Sequence, residues 1–314
     1  MRTERPLRSA GIAVVLAMVA ASLRAQTIDA YPTPTQPSFP FGIAAGPDGN
    51  LWFVETQGQI GRITPDGAIT EFPTGRLAPA DITAGPDGNL WFTYHQGVAR
   101  MTTTGVLTSF PASTLTAGGT ITVGPDGNLW FTEYAANRIG RVTPSGVVTE
   151  FLLPRQDSMP LGITTGPDGN LWFTERRYSS IGRITPAGVL AEFTIQGFGW
   201  QIVTGPDGRL WYTDEENRAV RSISVLGVPG PMVSVTSSSG PQGLTRTSNG
   251  HLWFTTELDG TIGRLTVSGK IQHFTLPAGS GPREIVEGPN GDLWFTMQKL
   301  NSIGRLVITS IPVE

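Results

Sequence analysis

The chain has 314 residues, with Gly 40, Pro 25, no cysteine and a formal net charge of −3. Its turn residues lack the three-residue period of collagen, and 39% apolar content is too high for a disordered chain, so many tight turns between packed strands are expected. The acidic balance argues against nucleic acid as a partner, because phosphate binding needs a basic face, and the lack of cysteine excludes disulfides and thiolate chemistry.

In chain order, residues 1–25 read as a signal peptide. Arg2, Arg5 and Arg8 precede an apolar stretch from Ala10 to Leu23, and Ala25 supplies a small residue at the cleavage site. That stretch is short for a bilayer span, and no later run is a candidate transmembrane helix. A secreted or periplasmic mature protein free of the membrane is expected, with an N-terminal anchor as the alternative. Cleavage removes four arginines and one glutamate and takes the net charge from −3 to −6.

Residues 26–314 read as one domain. Trp52, Trp91, Trp130, Trp172, Trp211, Trp253 and Trp294 are spaced by 39 to 42 residues, each in a near-copy of Gly-Pro-Asp-Gly-Asn-Leu-Trp-Phe-Thr-Glu. Such a period marks a repeat architecture. Each unit continues as Ile-Gly-Arg-Ile-Thr-Pro-x-Gly and ends in a short apolar strand such as Ile69 to Phe72. The Pro-Asp-Gly and Thr-Pro-x-Gly turns divide it into four short strands. Four-stranded sheets repeated seven times bury both faces by packing around an axis, so the sequence predicts an all-β, seven-bladed β-propeller. The seventh unit lacks a last strand, and Thr27 to Pro32 resemble one, so the mature N-terminal strand is expected to close the ring. The repeated Trp and Phe are read as packing between blades, and Arg62, Arg141, Arg183, Arg264 and Arg305 as hydrogen-bonding to neighbouring blades. The Ser-rich connection from Leu226 to Gly240 is read as a tolerated insertion.

The hairpins also locate a rim. With the first turn centred near Asp48, Phe41 and Glu55 are equidistant from it and are expected opposite each other. The same fourteen-residue offset pairs Ala80 with Tyr94, Gly119 with Glu133, Leu161 with Glu175, Trp200 with Asp214, Gln242 with Thr256 and Arg283 with Met297. These positions vary while the scaffold does not. Glu55, Glu133, Glu175 and Asp214 form a candidate carboxylate ring for Mg²⁺ or Ca²⁺, with facing water or capping strand ends as the alternative. Phe41, Tyr94, Trp200, Gln242 and Arg283 complete the candidate ligand-binding surface for a small molecule, glycan or protein. Of three histidines, His95 falls on the rim, His251 beside a turn at the opposite end and His273 on an outer strand, where exposure is expected. A monomer is expected.

The units Gly-Pro-Asp-Gly-Asn-Leu-Trp-Phe-Thr-Glu and Ile-Gly-Arg-Ile-Thr-Pro resemble the streptogramin lyase (virginiamycin B lyase) family across all seven repeats. The resemblance implies a seven-bladed propeller and an elimination that opens the ester-closed ring of type B streptogramins with Mg²⁺ assistance, using a base and a cation to hold the developing enolate. The family's catalytic histidines and metal-binding glutamates align with Gln242, Arg283, Gly281 and Met297 here. Gln is no base, Arg stays protonated, and Gly and Met offer Mg²⁺ no oxygen side chain. Two readings follow: a virginiamycin B lyase-like propeller that binds a ligand or partner without the family's catalytic set, or a metal-dependent enzyme acting on a cyclic ester. The second would be a lyase or a lactone hydrolase, with Glu55, Glu133, Glu175 or Asp214 holding the ion.

Overall fold

The structure is a computed structural model that describes residues 28–112, 118–266 and 268–308; the expected signal peptide lies outside them. Among the described residues, 28 strands form seven four-stranded antiparallel sheets, and no helix is long and apolar enough to cross a membrane. Blade 1 comprises Pro40–Ala45, Leu51–Glu55, Gln59–Ile63 and Ile69–Pro73, from the axis outward. Five further blades repeat this order. The seventh sheet joins Pro282–Glu287, Leu293–Met297 and Ser302–Leu306 to Ile28–Pro32 from the other end of the chain, with Asp29 opposite Arg305.

The repeated residues account for one another. Asp48 Oδ1 accepts the indole N–H of Trp52 at 3.0 Å, and the same Asp-to-Trp bond recurs from Asp87, Asp126, Asp168 and Asp207. Burial alone would raise the pKa of Asp48, but the bonds from Trp52 and Asn50 hold it below its ordinary value. Gly46 is required because the indole lies across it: a Cβ there would fall 2.3 Å from Trp52 Cδ1. Likewise a Cβ on Gly61 would fall 2.0 Å from the Phe53 ring, which fixes the glycine of Ile-Gly-Arg. Blades 6 and 7 depart from the pattern. Trp253 donates instead to Thr247 Oγ1 at 3.2 Å, and the Trp294 indole N–H has no partner among the described residues where Asn290 replaces the aspartate.

Each tryptophan is a seam between blades. Trp52 packs with Ile82, Leu90 and Phe92 of blade 2, and Trp294 of blade 7 packs with Ile43, Leu51 and Phe53 of blade 1. Within its own blade Trp52 stacks on Phe72 at 5.3 Å, and Arg62 lies over both rings. The arginines also reach onward, as expected: Arg141 Nη1 donates to the Pro186 carbonyl at 2.9 Å and Arg305 Nη1 to that of Pro65 at 3.2 Å.

The register differs from the sequence expectation by one residue. Pro40, not Phe41, stands opposite Glu55, and a bulge follows before Ile43 meets Phe53. All seven hairpins carry this bulge. In blades 2 to 7 the Trp-Phe-Thr hydroxyl holds it. Thr93 Oγ1 accepts the Asp81 N–H of its own bulge at 3.2 Å and donates to the Gly119 carbonyl of the next blade at 2.6 Å. Thr132, Thr174, Thr213, Thr255 and Thr296 repeat the bridge, the last ending on the Phe41 carbonyl of blade 1. Blade 1 carries Val54 at this position, which has no hydroxyl to offer.

Candidate ligand-binding site at the axial mouth

The extra bulge residue aims its side chain at the axis and turns the end of the second strand into the blade. The expected rim pairs therefore separate into two layers. Phe41, Ala80, Gly119, Leu161 and Trp200 line a cavity of about 260 Å³ at one end of the axis. Their expected partners do not. Glu55, Glu133, Glu175 and Asp214 are fully buried and Tyr94 is 4% exposed, so neither the carboxylate ring nor the rim role of Tyr94 is present.

Within the blades Asp214 meets local partners. Asp214 pairs with Arg221 at 2.7 Å and accepts from Asn217. Burial, then the neighbouring Glu71 charge, pushes the pKa of Glu55 up to about 8; burial, then Glu192, pushes Glu175 up to about 7 against the opposing Arg155. Among the described residues no three His, Cys, Asp or Glu side chains gather where they could hold a metal. His95 and His273 are exposed, and His251 is buried with its pKa lowered by burial and by Arg264.

Except for His95, the residue after each buried strand end was missed in the sequence. Tyr134 and Arg176 line the cavity, and Glu215, Glu257 and Gln298 join its edge. Arg176 lies 4.7 Å from the Trp200 ring centroid and 3.5 Å from Glu215. Glu215 accepts from Gln242 Nε2 at 2.8 Å, and Gln242 Oε1 accepts from Arg283 Nη1 at 2.9 Å. Arg283 pairs with Glu257 at 3.0 Å, donates to Gln298 and lies over the Phe41 ring, while Lys299 reaches Glu257 at 3.1 Å. One polar chain thus runs through blades 4, 5, 6 and 7 to blade 1. Counting one residue past each Trp-Phe-Thr-Glu would have found its acidic members.

One residue further along the inner strands, Asp81, Gln201 and Glu284 line the same cavity. Burial, then the Asp81 charge, pushes the pKa of Glu284 up to about 8, opposed by a hydrogen bond from Gln201 and by Arg283. Burial raises Asp81 to about 6, against the backbone N–H groups of Ile121 and Ile82 that hold its charged form.

The Mg²⁺ implied by the resemblance does not fit the residues present. Met297 is buried without an oxygen to offer. A Cβ on Gly281 would fall 2.7 Å from Lys299 Cγ, so the lysine stem lies where a glutamate would extend.

The model of the virginiamycin B lyase family matches residues 19–77 and 74–311. A solved streptogramin B lyase is 30% identical, with a TM-score of 0.84 over 89% of this chain and 97% of its own. Selenomethionine-substituted virginiamycin B lyase from Staphylococcus aureus is 31% identical, with a TM-score of 0.84 over 90% of this chain and 99% of its own. A catalytically inactive histidine-to-alanine variant of that enzyme, solved with quinupristin, is also 31% identical, with a TM-score of 0.83 over the same shares. No curated protein sequence matches. The chain belongs to the virginiamycin B lyase family.

Proposed function

We propose that this family member binds a small ligand at the axial mouth and does not run the lyase elimination. The observation that carries this reading is the 2.9 Å hydrogen bond from Arg283 to Gln242. At the two positions where the family pattern places histidines, a permanently charged guanidinium and a neutral amide are tied to each other, and neither can take an α-proton. Arg283 and Lys299 converge on Glu257, so two tethered cations neutralise a carboxylate that lines one pocket with Gly281. The mouth keeps what binding needs: apolar walls from Phe41, Leu161 and Trp200 around a few fixed polar groups. Export is part of the same proposal and rests on the basic and apolar pattern of residues 1–25.

Incubation with a type B streptogramin and Mg²⁺, followed by mass analysis, tests the loss of chemistry. The intact depsipeptide is the expected result. A linearised product whose formation is lost in Arg283→Ala would overturn the proposal.

A further inference from the structure

The uniform carboxylates of the repeat are absorbed by the blades, but Asp81 and Glu284 are not repeat residues. Their equivalents are Gly42, Thr120, Gly162, Gln201 and Gly243, so the two acids appear once each, in blades 2 and 7. Both line the axial cavity, one residue deeper than the bulge residues Ala80 and Arg283. Glu284 accepts from Gln201 Nε2 at 3.4 Å across the axis, and Asp81 Oδ2 accepts the Ile121 N–H at 2.9 Å. Among the described residues no cation is paired with either acid within salt-bridge distance: Arg176 is committed to Glu215, and Arg283 to Glu257. The blade architecture also makes room for them. A Cβ on Gly42 would fall 2.5 Å from Asp81 Oδ1, so the glycine in blade 1 is what lets the aspartate occupy the axis.

Resting on the binding reading above, we infer that the axial cavity takes a compact organic cation, a primary alkylammonium whose charge sits between Asp81 and Glu284 and whose apolar part fills the walls of Phe41, Leu161 and Trp200. An inorganic cation suits the site less. Ca²⁺ takes six to eight oxygen ligands, whereas the cavity sets two carboxylates, one amide and the Thr120 hydroxyl among mainly apolar walls, and Thr120 already donates to the Leu161 carbonyl. An ammonium needs only a few acceptors, and its carbon skeleton gains from burial against the aromatic wall.

Binding a cation requires both acids to be ionised. The charged and titratable groups facing them are each other, Arg283, Arg176 and Tyr134, and the neutral amide of Gln201 lies beside Glu284. Because burial holds Glu284 protonated up to about pH 8, the ammonium must displace that proton, and affinity rises with pH until the amine itself loses its charge.

The test is calorimetric titration of the full chain with 2-phenylethylamine, 2-phenylethanol and phenylacetate at about pH 5.5 and pH 8.5. The expected result is amine binding that strengthens by about tenfold or more at the higher pH, with the alcohol and the acid about tenfold weaker, and loss of about fivefold or more in Glu284→Gln and in Asp81→Asn. Equal binding of alcohol and amine, weakened by Trp200→Ala, would overturn the cation inference and leave the mouth a binding site. Binding of none of the three would overturn the inference and remove support from the binding reading as well. Titration with CaCl₂ separates the sources of charge: calcium binding lost in Glu284→Gln, without amine binding, would replace the organic cation with a metal.

Discussion

Trp172 and Trp200 stand in neighbouring blades of one repeat protein and obey different rules. Trp172 is fully buried, donates to Asp168 at 3.0 Å, stacks on Phe193 at 5.3 Å and packs against Ile202 and Tyr212 of the next blade. The six other repeat tryptophans likewise pack against the next blade. Trp200 has no repeat counterpart, lines the axial cavity and presents a ring face to Arg176. The same division separates two sets of acids. Glu55 and Glu175 close up inside blades, while Asp81 and Glu284 face the axis, although only one step of register distinguishes the ends of the strands that carry them. Interblade residues answer to the scaffold, and axial residues are free to answer to a ligand.

The largest effect that would break this division is on stability. Trp172→Ala removes a buried indole from the seam between blades 4 and 5 and is expected to cost about 3–5 kcal/mol by urea denaturation. Trp200→Ala is expected to shift stability by less than about 1 kcal/mol while weakening any ligand of the mouth by about 2 kcal/mol. Equal destabilisation by the two substitutions would place Trp200 in the scaffold.

Next in size is a pH effect from the buried acids. Glu55 holds a proton in the folded state up to about pH 8, where the unfolded chain releases it near 4.5. Its protonated form therefore favours folding fully below about pH 4.5, and this contribution is lost as pH rises through about 8. The groups facing it are Glu71 on the outer strand and Gln59 on the third strand, and Glu71 is itself held by the Thr35 N–H and hydroxyl. Urea midpoints are expected to fall between about pH 5.5 and pH 8.5, and Glu55→Gln to raise stability by on the order of 2 kcal/mol at the upper end only. A pH-independent loss of stability in Glu55→Gln would show that Glu55 is ionised and satisfied in the blade.

The smallest effect sharpens the account of the bulge. Val54→Thr supplies the one hydroxyl missing from the interblade series, between the Gly42 N–H and the Ala80 carbonyl, and is expected to stabilise by about 0.5–1 kcal/mol. Destabilisation would mean that blade 1 needs the apolar contacts of Val54 with blade 2 more than the bridge.

The propeller was legible in the sequence because Asp48, Trp52, Gly61 and Phe72 constrain one another at short range, and the other repeats restate all or part of that constraint. The mouth was legible in part. Phe41 and Trp200 were found by counting from the turn, but Glu55, Tyr94, Glu133, Glu175 and Asp214 were placed there by an offset that assumed an unbroken ladder. The bulge is set by a threonine hydroxyl bonding to the next blade, a contact some 26 residues away in the case of Thr93 and Gly119. No local pattern carries that. Asp81 and Glu284 went unread for the same reason, since only the bulge brings their layer to the axis.

The division itself is tested most directly by comparing Glu55→Gln with Glu284→Gln in a 2-phenylethylamine titration at about pH 8.5. Glu284→Gln is expected to weaken binding by about fivefold or more, and Glu55→Gln to leave it within about twofold of the parent. Weakening by Glu55→Gln with Glu284→Gln unchanged would contradict the division, and would return the ligand to the strand-end carboxylates that the bulge turns away from the axis.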